Sequence, residues 1–197
     1  MKKILHFILK VLAKAVLKKY QPKIVGITGS VGKTSAKEAI YCVLKGEFNT
    51  RRSVKNYNNE IGTPLTILGW TSSPGKNLFR WFILFVRAVK LIINKDKRYP
   101  EVLILEMGAD RPGDIKYLIS IAKPNIAVMS AIGPSHIEFF GSLKKIVKEK
   151  SSILENLHDN DWAVINHDDP ELSGAIEGVK SNLMTFGQSD DSDVRLS

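Results

Sequence analysis

The chain has 197 residues, of which 44% are hydrophobic and 25% are charged, and its formal net charge is +9. This composition can bury one substantial core, which excludes a disordered protein and favours one domain with extensions. The single cysteine, Cys42, excludes an internal disulfide and a cysteine-based metal site. We predict that Cys42 is a small buried residue of a cytoplasmic protein, because thiols stay reduced in that compartment.

Residues 1–23 form a basic extension with seven lysines and no acidic residue, so most of the net charge is local and no nucleic-acid partner is predicted. Cationic residues recur there every three or four positions, which places them in one stripe of an otherwise apolar helix. The pattern predicts a helix lying on a membrane surface through residues 1–19, at the inner face of the membrane. The lysines interrupt the apolar run too often for a secretory signal or a spanning helix. The stripe consists of Lys3, His6, Lys10, Lys14 and Lys18.

The next segment, VGITGSVGKTSAKEAI, contains a short apolar strand, a turn with Gly29 and Gly32, and a helix that begins with Lys33 and Thr34. Backbone N–H groups of a glycine-rich turn and of a helix N-terminus converge on one point, which suits a polyphosphate. Lys33 would reach the β- and γ-phosphates of ATP, and the Thr34 hydroxyl would bind Mg²⁺. Ile27 stands where the usual phosphate loop has a glycine, so the alternative is that these glycines serve only a bend. The predicted nucleotide-binding residues of the loop are Gly29, Ser30, Gly32, Lys33, Thr34 and Ser35.

Residues 78–93, LFRWFILFVRAVKLII, predict a second basic and apolar helix, within an insertion at about 76–98. Arg80, Arg87 and Lys90 lie on one side of it. Two such helices favour a membrane surface. The alternative is that both pack on the core of the protein or on a neighbouring domain, with their cations at the solvated rim.

The remainder of the chain alternates between apolar strands and helices. We predict strands at KIVGIT, EVLILEMG, NIAVMSAI and WAVIN, and helices at KTSAKEAIYCVLKG, GDIKYLISIAK and SLKKIVKEKSSILENL. Nearly continuous apolar strands separated by helices indicate an α/β fold, with a mostly parallel sheet covered by helices on both faces.

Polar side chains follow these strands, at the edge where parallel sheets bind ligands. Glu106 ends one buried strand, His136 follows the next, and Asn166 with Asp168 follows a third. A carboxylate beside a phosphate loop is the expected partner of nucleotide-bound Mg²⁺. The alternatives are a helix cap or a salt bridge for Glu106 and an ordinary loop position for His136.

Five collinear segments now carry a family resemblance. GITGSVGKTS, NYNNEIGTPLTIL, LILEMGADRPGDI, SAIGPSHIEFFGSLKKIVKEKSSI and VINHDDP resemble the central ATP-binding domain of the Mur ligases over about residues 24–190. Within that family they are most similar to the branch that adds D-Ala-D-Ala to a UDP-MurNAc-tripeptide. The family likewise has no glycine at the position of Ile27. We therefore assign residues 24–197 to this domain, incomplete at its C-terminus.

The resemblance implies an ATP-dependent ligase of peptidoglycan precursors that forms an amide through an acyl phosphate. It implies that Thr34 and Glu106 hold Mg²⁺, that His136 holds a second metal, and that Lys33 stabilises the phosphoryl group. By the same resemblance Asn59 lines the site, and Asn166 and Asp168 lie near the nucleotide. Lys150, fourteen residues after His136, matches a lysine that is carbamylated to form a metal ligand in several Mur ligases. Its alternative is a place on a solvent-facing basic helix, with Lys144, Lys145 and Lys148.

The resemblance stops at both ends of the chain. Only about 23 residues precede the first strand, where the family has a domain for the UDP-sugar, and the family's C-terminal domain has no counterpart. We expect a fragment or one half of a split enzyme, inactive or weakly active alone and completed by that domain in cis or in trans. The other hypotheses are an amide ligase of the folate polyglutamate or cyanophycin type and a non-catalytic, membrane-associated nucleotide-binding module.

Overall fold

The computed structural model describes residues 2–54 and 57–195; Asn56, in the NYNN segment, and Leu196 and Ser197 lie outside the described residues. The helices are α1 Lys2–Tyr20, α2 Lys33–Leu44, α3 Gly62–Ile67, α4 Leu78–Ile93, α5 Asp114–Ile121, α6 Ile137–Phe140, α7 Leu143–Ser151 and α8 Ser173–Glu177, with a 3₁₀ turn at Pro170–Leu172. The strands are β1 Lys23–Thr28, β2 Thr50–Arg52, β3 Val102–Glu106, β4 Ile126–Met129, β5 Trp162–Asn166, β6 Asn182–Gly187 and β7 Val194–Arg195.

The described strands form one seven-stranded sheet in the order β2-β3-β1-β4-β5-β6-β7. Neighbouring strands run parallel throughout. Strand β3 is buried along its whole length, as its apolar sequence predicts for a strand covered on both faces. The predicted α/β fold is confirmed, and its parallel order places the ends of β1, β3, β4 and β5 at one edge.

Apolar side chains form a core on each face of the sheet. Ile24, Leu103 and Leu105 lie in the larger core, together with side chains from α1, α4 and α5. Val25 and Ile104 point to the opposite face, where side chains of α2 cover them. Successive strand residues alternate between the two faces, so the central strands are apolar on both faces up to their C-terminal ends, where Thr28 and Glu106 are the buried polar exceptions.

Helix α1 packs on the larger core through one face. Leu9, Ala13 and Val16 are fully buried at helical spacing. At the C-terminus of α1, the Tyr20 ring stacks on Tyr99 with 4.0 Å between centroids, and the Tyr20 hydroxyl donates to the Leu91 carbonyl at 3.1 Å. The alternative of packing on the protein's own core is therefore correct for this face of α1.

Three details differ from the sequence-based expectations. Helix α7 ends at Ser151, whereas the predicted helix continued through Leu157; the Ser152 hydroxyl donates to the Glu149 carbonyl at 2.6 Å and competes with helix extension. Cys42 is exposed and not buried, because α2 packs on the sheet through its other side. Strand β2 and helices α3, α6 and α8 were not predicted, because the sequence TRR of β2 has no apolar pattern and the three helices are too short to show a period.

None of the helices in residues 2–54 and 57–195 combines the length and the apolarity needed to span a bilayer.

The packing of α1 predicts unequal costs for two apolar truncations. Leu9→Ala should lower the free energy of unfolding by about 2–5 kcal/mol, because it leaves a cavity in the core. Ile4→Ala, at a position that is 65% exposed, should change it by less than about 0.5 kcal/mol. Urea unfolding of both variants measures the difference, and equal midpoints would contradict the packing of α1 on the core.

Candidate functional site

The loop between β1 and α2 is shaped by glycines at two positions. Gly29 has φ 148° and Gly32 has φ 84°, conformations that other residues rarely adopt. A Cβ atom on Gly29 would also collide with the hydroxyl of Ser130, which follows β4. The Ser30 amide donates to the Ala131 carbonyl at 2.6 Å, and the Ser30 hydroxyl donates to the Gly133 carbonyl at 2.9 Å. The loop is therefore fixed against the chain that follows β4.

Lys33 begins α2 and folds back over this loop. Its ammonium donates to the carbonyls of Gly29 at 2.8 Å and Ser30 at 3.1 Å. Burial lowers the pKa of Lys33, and the negative charges of Glu106 and Asp110 act in the opposite direction. A lysine and the N-terminus of a twelve-residue helix thus add positive potential at the same point.

Glu106, at the end of β3, is buried beside this helix start. One carboxylate oxygen accepts from the Thr34 hydroxyl at 3.0 Å, and the other accepts from the Asn58 side-chain amide at 3.2 Å. The ammonium of Lys37 lies 3.5 Å from the first oxygen, and only 1% of the Lys37 side chain is exposed. Glu106 therefore faces Thr34 as predicted and also forms the salt bridge that was its alternative.

Lys37 and Asn58 were not predicted as site residues. For Lys37 a signal was available, since it stands four positions after Lys33 and so lies on the same face of α2. For Asn58 no signal was used, and its neighbour Asn59 was the residue predicted to line the site. The Asn59 side chain accepts from the amide of Gly62 at 2.9 Å and so fixes the start of α3.

Lys150 is buried at the C-terminal end of α7, with its ammonium 3.0 Å from the Gly29 carbonyl oxygen. Burial, and secondly the nearby charge of Lys33, lower the pKa of Lys150 to about 8. Lys144, Lys145 and Lys148 are exposed, so the alternative of a solvent-facing helix holds for them and is wrong for Lys150. The structure thus joins Lys33, Thr34, Glu106 and Lys150 around one loop.

His136 lies near this group, at the start of α6. It has φ 57°, and its Nε2 is 3.4 Å from a carboxylate oxygen of Asp110. The His136 side chain is 46% exposed. Asp110, which was not predicted, also interacts electrostatically with Lys33 and Lys150. The loops after β3 and β4 therefore bring a carboxylate and an imidazole to the same edge of the sheet.

Asn166 and Asp168, after β5, make local hydrogen bonds. The Asn166 side chain accepts from the Asp168 amide at 3.1 Å, and the Asp168 carboxylate accepts from the amides of Gln188 and Ser189. These two backbone bonds lower the pKa of Asp168. The neighbouring Asp169 is the residue that reaches the loop after β4, where it accepts from the Ile132 amide at 2.6 Å.

A cavity of about 840 Å³ opens between α1 and the loop that follows β3. Its lining has cationic side chains on the α1 side and amide and carboxylate side chains on the sheet side. Among the lining residues are Lys3, His6, Lys10, Asn58, Asn59 and Asp110. The cavity adjoins the candidate site through Asn58, which donates to Glu106, and through Asp110, which lies beside His136.

Residues 27–74 and 87–197 match the family model of the Mur ligase middle domain. The chain belongs to the Mur ligase family. It is 33% identical over 172 residues to UDP-N-acetylmuramoyl-tripeptide--D-alanyl-D-alanine ligase of Buchnera aphidicola, covering 87% of this chain and 32% of the relative. It is 30% identical over 188 residues to the Bacillus subtilis enzyme of the same name, covering 95% of this chain and 35% of that relative. This Mur ligase middle domain thus spans about a third of the length of the curated relatives it matches.

Solved structures agree with the fold of this Mur ligase middle domain. MurF from Thermotoga maritima in complex with ADP superposes with a TM-score of 0.72 at 34% identity, over 93% of this chain and 37% of that chain. MurF from Acinetobacter baumannii gives a TM-score of 0.73 at 24% identity, over 93% of this chain and 35% of that one. Escherichia coli FolC in complex with ADP gives 0.57 at 17% identity, over 91% and 46%, a likeness of fold alone.

The buried pair of Lys37 and Glu106 predicts a non-additive effect on stability. Lys37→Met should lower the free energy of unfolding by about 3–5 kcal/mol, because it leaves a buried carboxylate without its counter-charge. Adding Glu106→Gln should recover part of this loss, and a double-mutant cycle in urea measures the coupling. Lys148→Met, on the exposed side of α7, is the matched control and should change stability by less than about 0.5 kcal/mol. Strictly additive effects would contradict a direct interaction between the two side chains.

Proposed function

We propose that this chain is the ATP-binding part of a ligase that adds D-Ala-D-Ala to a UDP-MurNAc-tripeptide. The observation that carries the proposal is the 3.0 Å contact between the Thr34 hydroxyl and Glu106, beside a loop whose glycines and Lys33 suit a polyphosphate. The proposed substrates, a UDP-MurNAc-tripeptide as acceptor and D-Ala-D-Ala as amine, are those for which the relatives are named. Because the chain spans about a third of those relatives, the proposal concerns what its residues contribute to the reaction.

The nucleotide site is supported by the loop geometry and by the ADP bound to the Thermotoga maritima relative. Phosphate oxygens are charged acceptors and bind an ammonium more strongly than neutral carbonyls do. We therefore expect Lys33 to turn from the carbonyls of Gly29 and Ser30 to the β- and γ-phosphates of ATP. Ser35 would lie in the first turn of α2 behind the phosphates, and Asn166 and Asp168 would lie toward the nucleoside.

The residues at the start of α2 fit Mg²⁺. A hydroxyl and a carboxylate are the hard oxygen ligands that Mg²⁺ prefers, and Thr34 and Glu106 already lie in contact. In the part of the chain that the structure describes, no three His, Cys, Asp or Glu side chains form a cluster able to hold a metal. Phosphate oxygens and water would therefore complete the coordination, as in many nucleotide sites. When bound, Mg²⁺ neutralises charge on the phosphates.

His136 and Asp110 are the proposed ligands of a second cation. Lys150 would join them only after carbamylation, in which its neutral amine adds CO₂, a C–N bond forms and one proton is released. The product is an anion in place of a cation next to Lys33. This change would replace a repulsion by an attraction between the two side chains.

The chemistry requires the chain to hold and stabilise a transferring phosphoryl group. The γ-phosphoryl group passes from ATP to the tripeptide carboxylate; the D-Ala-D-Ala amine then attacks the acyl carbon, the acyl–oxygen bond breaks, and phosphate leaves as the amine loses a proton. Lys33 and the amides at the start of α2 would stabilise the charge that develops on the phosphoryl oxygens. The cavity lined by Asn58 and Asn59 would hold the acceptor carboxylate. ATP as substrate would place the reaction in the cytoplasm.

The nucleotide part of the proposal is tested by titrating ATP with Mg²⁺ into the intact chain and following heat of binding. Lys33→Ala should weaken binding at least tenfold, because it removes a charged donor to the phosphates. Lys148→Ala removes an equal charge from an exposed position on α7 and should leave the affinity unchanged. Equal affinities for the Lys33→Ala variant and the native chain would overturn the phosphate-loop assignment.

The acceptor is tested separately. Phosphate release from ATP should require both UDP-MurNAc-tripeptide and D-Ala-D-Ala. The 197 residues alone should release little, since orientation of both reactants contributes about 7–11 kcal/mol to catalysis. Rapid release with another acid and amine would contradict the proposed substrate while leaving the nucleotide site intact.

Carbamylation of Lys150 predicts a pH-dependent signal. Because the pKa of Lys150 is about 8, its neutral and reactive form becomes more abundant as the pH rises through this value. With ¹³C-bicarbonate, one carbamate resonance should therefore grow between pH 7 and pH 9 in the native chain and be missing from the Lys150→Met variant, whereas a carbamate of the N-terminal amine would appear in both. Identical carbamate spectra of the two proteins at pH 9 would contradict the assignment.

A further inference from the structure

Helix α4 has a second apolar face, which the described residues leave exposed. Its buried face is formed by Leu84, Ala88 and Leu91, and these residues pack on the core. Seven large apolar side chains occupy a stripe on the other side of the helix, each at least 40% exposed. The spacing of these residues keeps them within one face along the whole length of α4. The stripe consists of Leu78, Phe79, Phe82, Ile83, Val86, Val89 and Ile93.

Such a stripe differs from ordinary surface hydrophobicity. Single exposed apolar residues are common and need no explanation, but a contiguous exposed face marks an interaction site. Leu78 is 83% exposed and Phe79 is 69% exposed, so most of the surface of two large apolar side chains is left open by the described residues. Trp81, in contrast, lies half-buried beside the stripe, and its indole N–H donates to the Gly75 carbonyl at 3.0 Å.

The charges beside the stripe have one sign. Residues 61–95 contain no Asp or Glu, while Lys76, Arg80, Arg87 and Lys90 lie within or next to α4. Helix α1, which packs alongside through a 2.8 Å hydrogen bond from Lys19 to the Ile92 carbonyl, has the same character. It exposes a smaller apolar set, and residues 1–23 have no acidic residue. The exposed apolar residues of α1 are Ile4, Phe7, Ile8 and Val11.

We propose that the apolar stripe of α4, with the basic residues beside it, binds the surface of an anionic phospholipid bilayer. Aromatic and aliphatic side chains on one face, flanked by Lys and Arg, are typical of helices that lie in the membrane interface. Cations beside the apolar face are attracted to anionic headgroups. The family model matches residues 27–74 and 87–197, so the first half of the stripe lies outside the residues that the family model matches. The proposal is independent of the nucleotide site.

The experiment is co-sedimentation of the intact chain with vesicles of phosphatidylcholine containing 30% phosphatidylglycerol. The double variant Phe79→Ser with Phe82→Ser should reduce the bound fraction at least fivefold, because it removes two aromatic side chains from the contact. Val43→Ser, on α2, replaces a side chain that is 74% exposed on the other side of the sheet and should bind like the native chain. Vesicles of phosphatidylcholine alone, or 0.5 M salt, should also reduce binding severalfold.

Several results would overturn the proposal. The first is that the intact chain stays in the supernatant with anionic vesicles. The others are that the double variant binds as well as the native chain, or that the native chain binds neutral and anionic vesicles equally. A dimer in solution that the double variant converts to a monomer, without vesicle binding, would assign the stripe to contact between copies of the chain. Thermal unfolding shows whether the double variant is folded, and Leu78→Ser provides a second substitution at the most exposed position. Deletion of α1 is unsuitable, because it removes Leu9, Ala13 and Val16 from the core.

Discussion

The buried negative charge of Glu106 is the constraint around which this site is built. A carboxylate at the end of a central strand loses its hydration, so donors from the protein have to replace water. Helix α2 supplies Thr34 and Lys37, and the segment before α3 supplies Asn58. The backbone amide of Glu106 donates to the Ser53 hydroxyl, which follows β2. The carboxylate of Glu106 thereby ties α2 and the approach to α3 to one point, and its backbone amide adds the end of β2.

Most of the fold follows from hydrophobic periodicity, and its exceptions have physical causes. Strands β1, β3 and β4 could be predicted from the sequence because burial on both faces requires apolar residues. Strand β2 lies at the edge of the sheet, and its sequence, TRR, has no apolar pattern. Helix α4 was predicted with its observed bounds. Helix α7 was predicted too long, because periodicity does not register the competition between a serine hydroxyl and the helix backbone.

Some of the site residues could be predicted from the sequence and others could not. Residues that end strands, such as Glu106, could be placed at the sheet edge by topology alone. Asp110 could not, because an aspartate in a loop looks like an ordinary surface residue until a partner is known, whereas the spacing of Lys37 from Lys33 offered a signal that was not used. The burial of Lys150 likewise depends on how α7 packs, and three exposed lysines on the same helix conceal it in the sequence.

The carbonyl oxygen of Gly29 accepts hydrogen bonds from both Lys33 and Lys150. Two ammonium groups on one acceptor repel each other, and each weakens the bond that the other can form. If either lysine loses its positive charge, the hydrogen bond from the other lysine to the Gly29 carbonyl therefore becomes stronger. Lys33 of α2 and Lys150 of α7 are in this way electrostatically coupled through a single backbone oxygen, so a change in the protonation of one lysine alters the hydrogen bond made by the other.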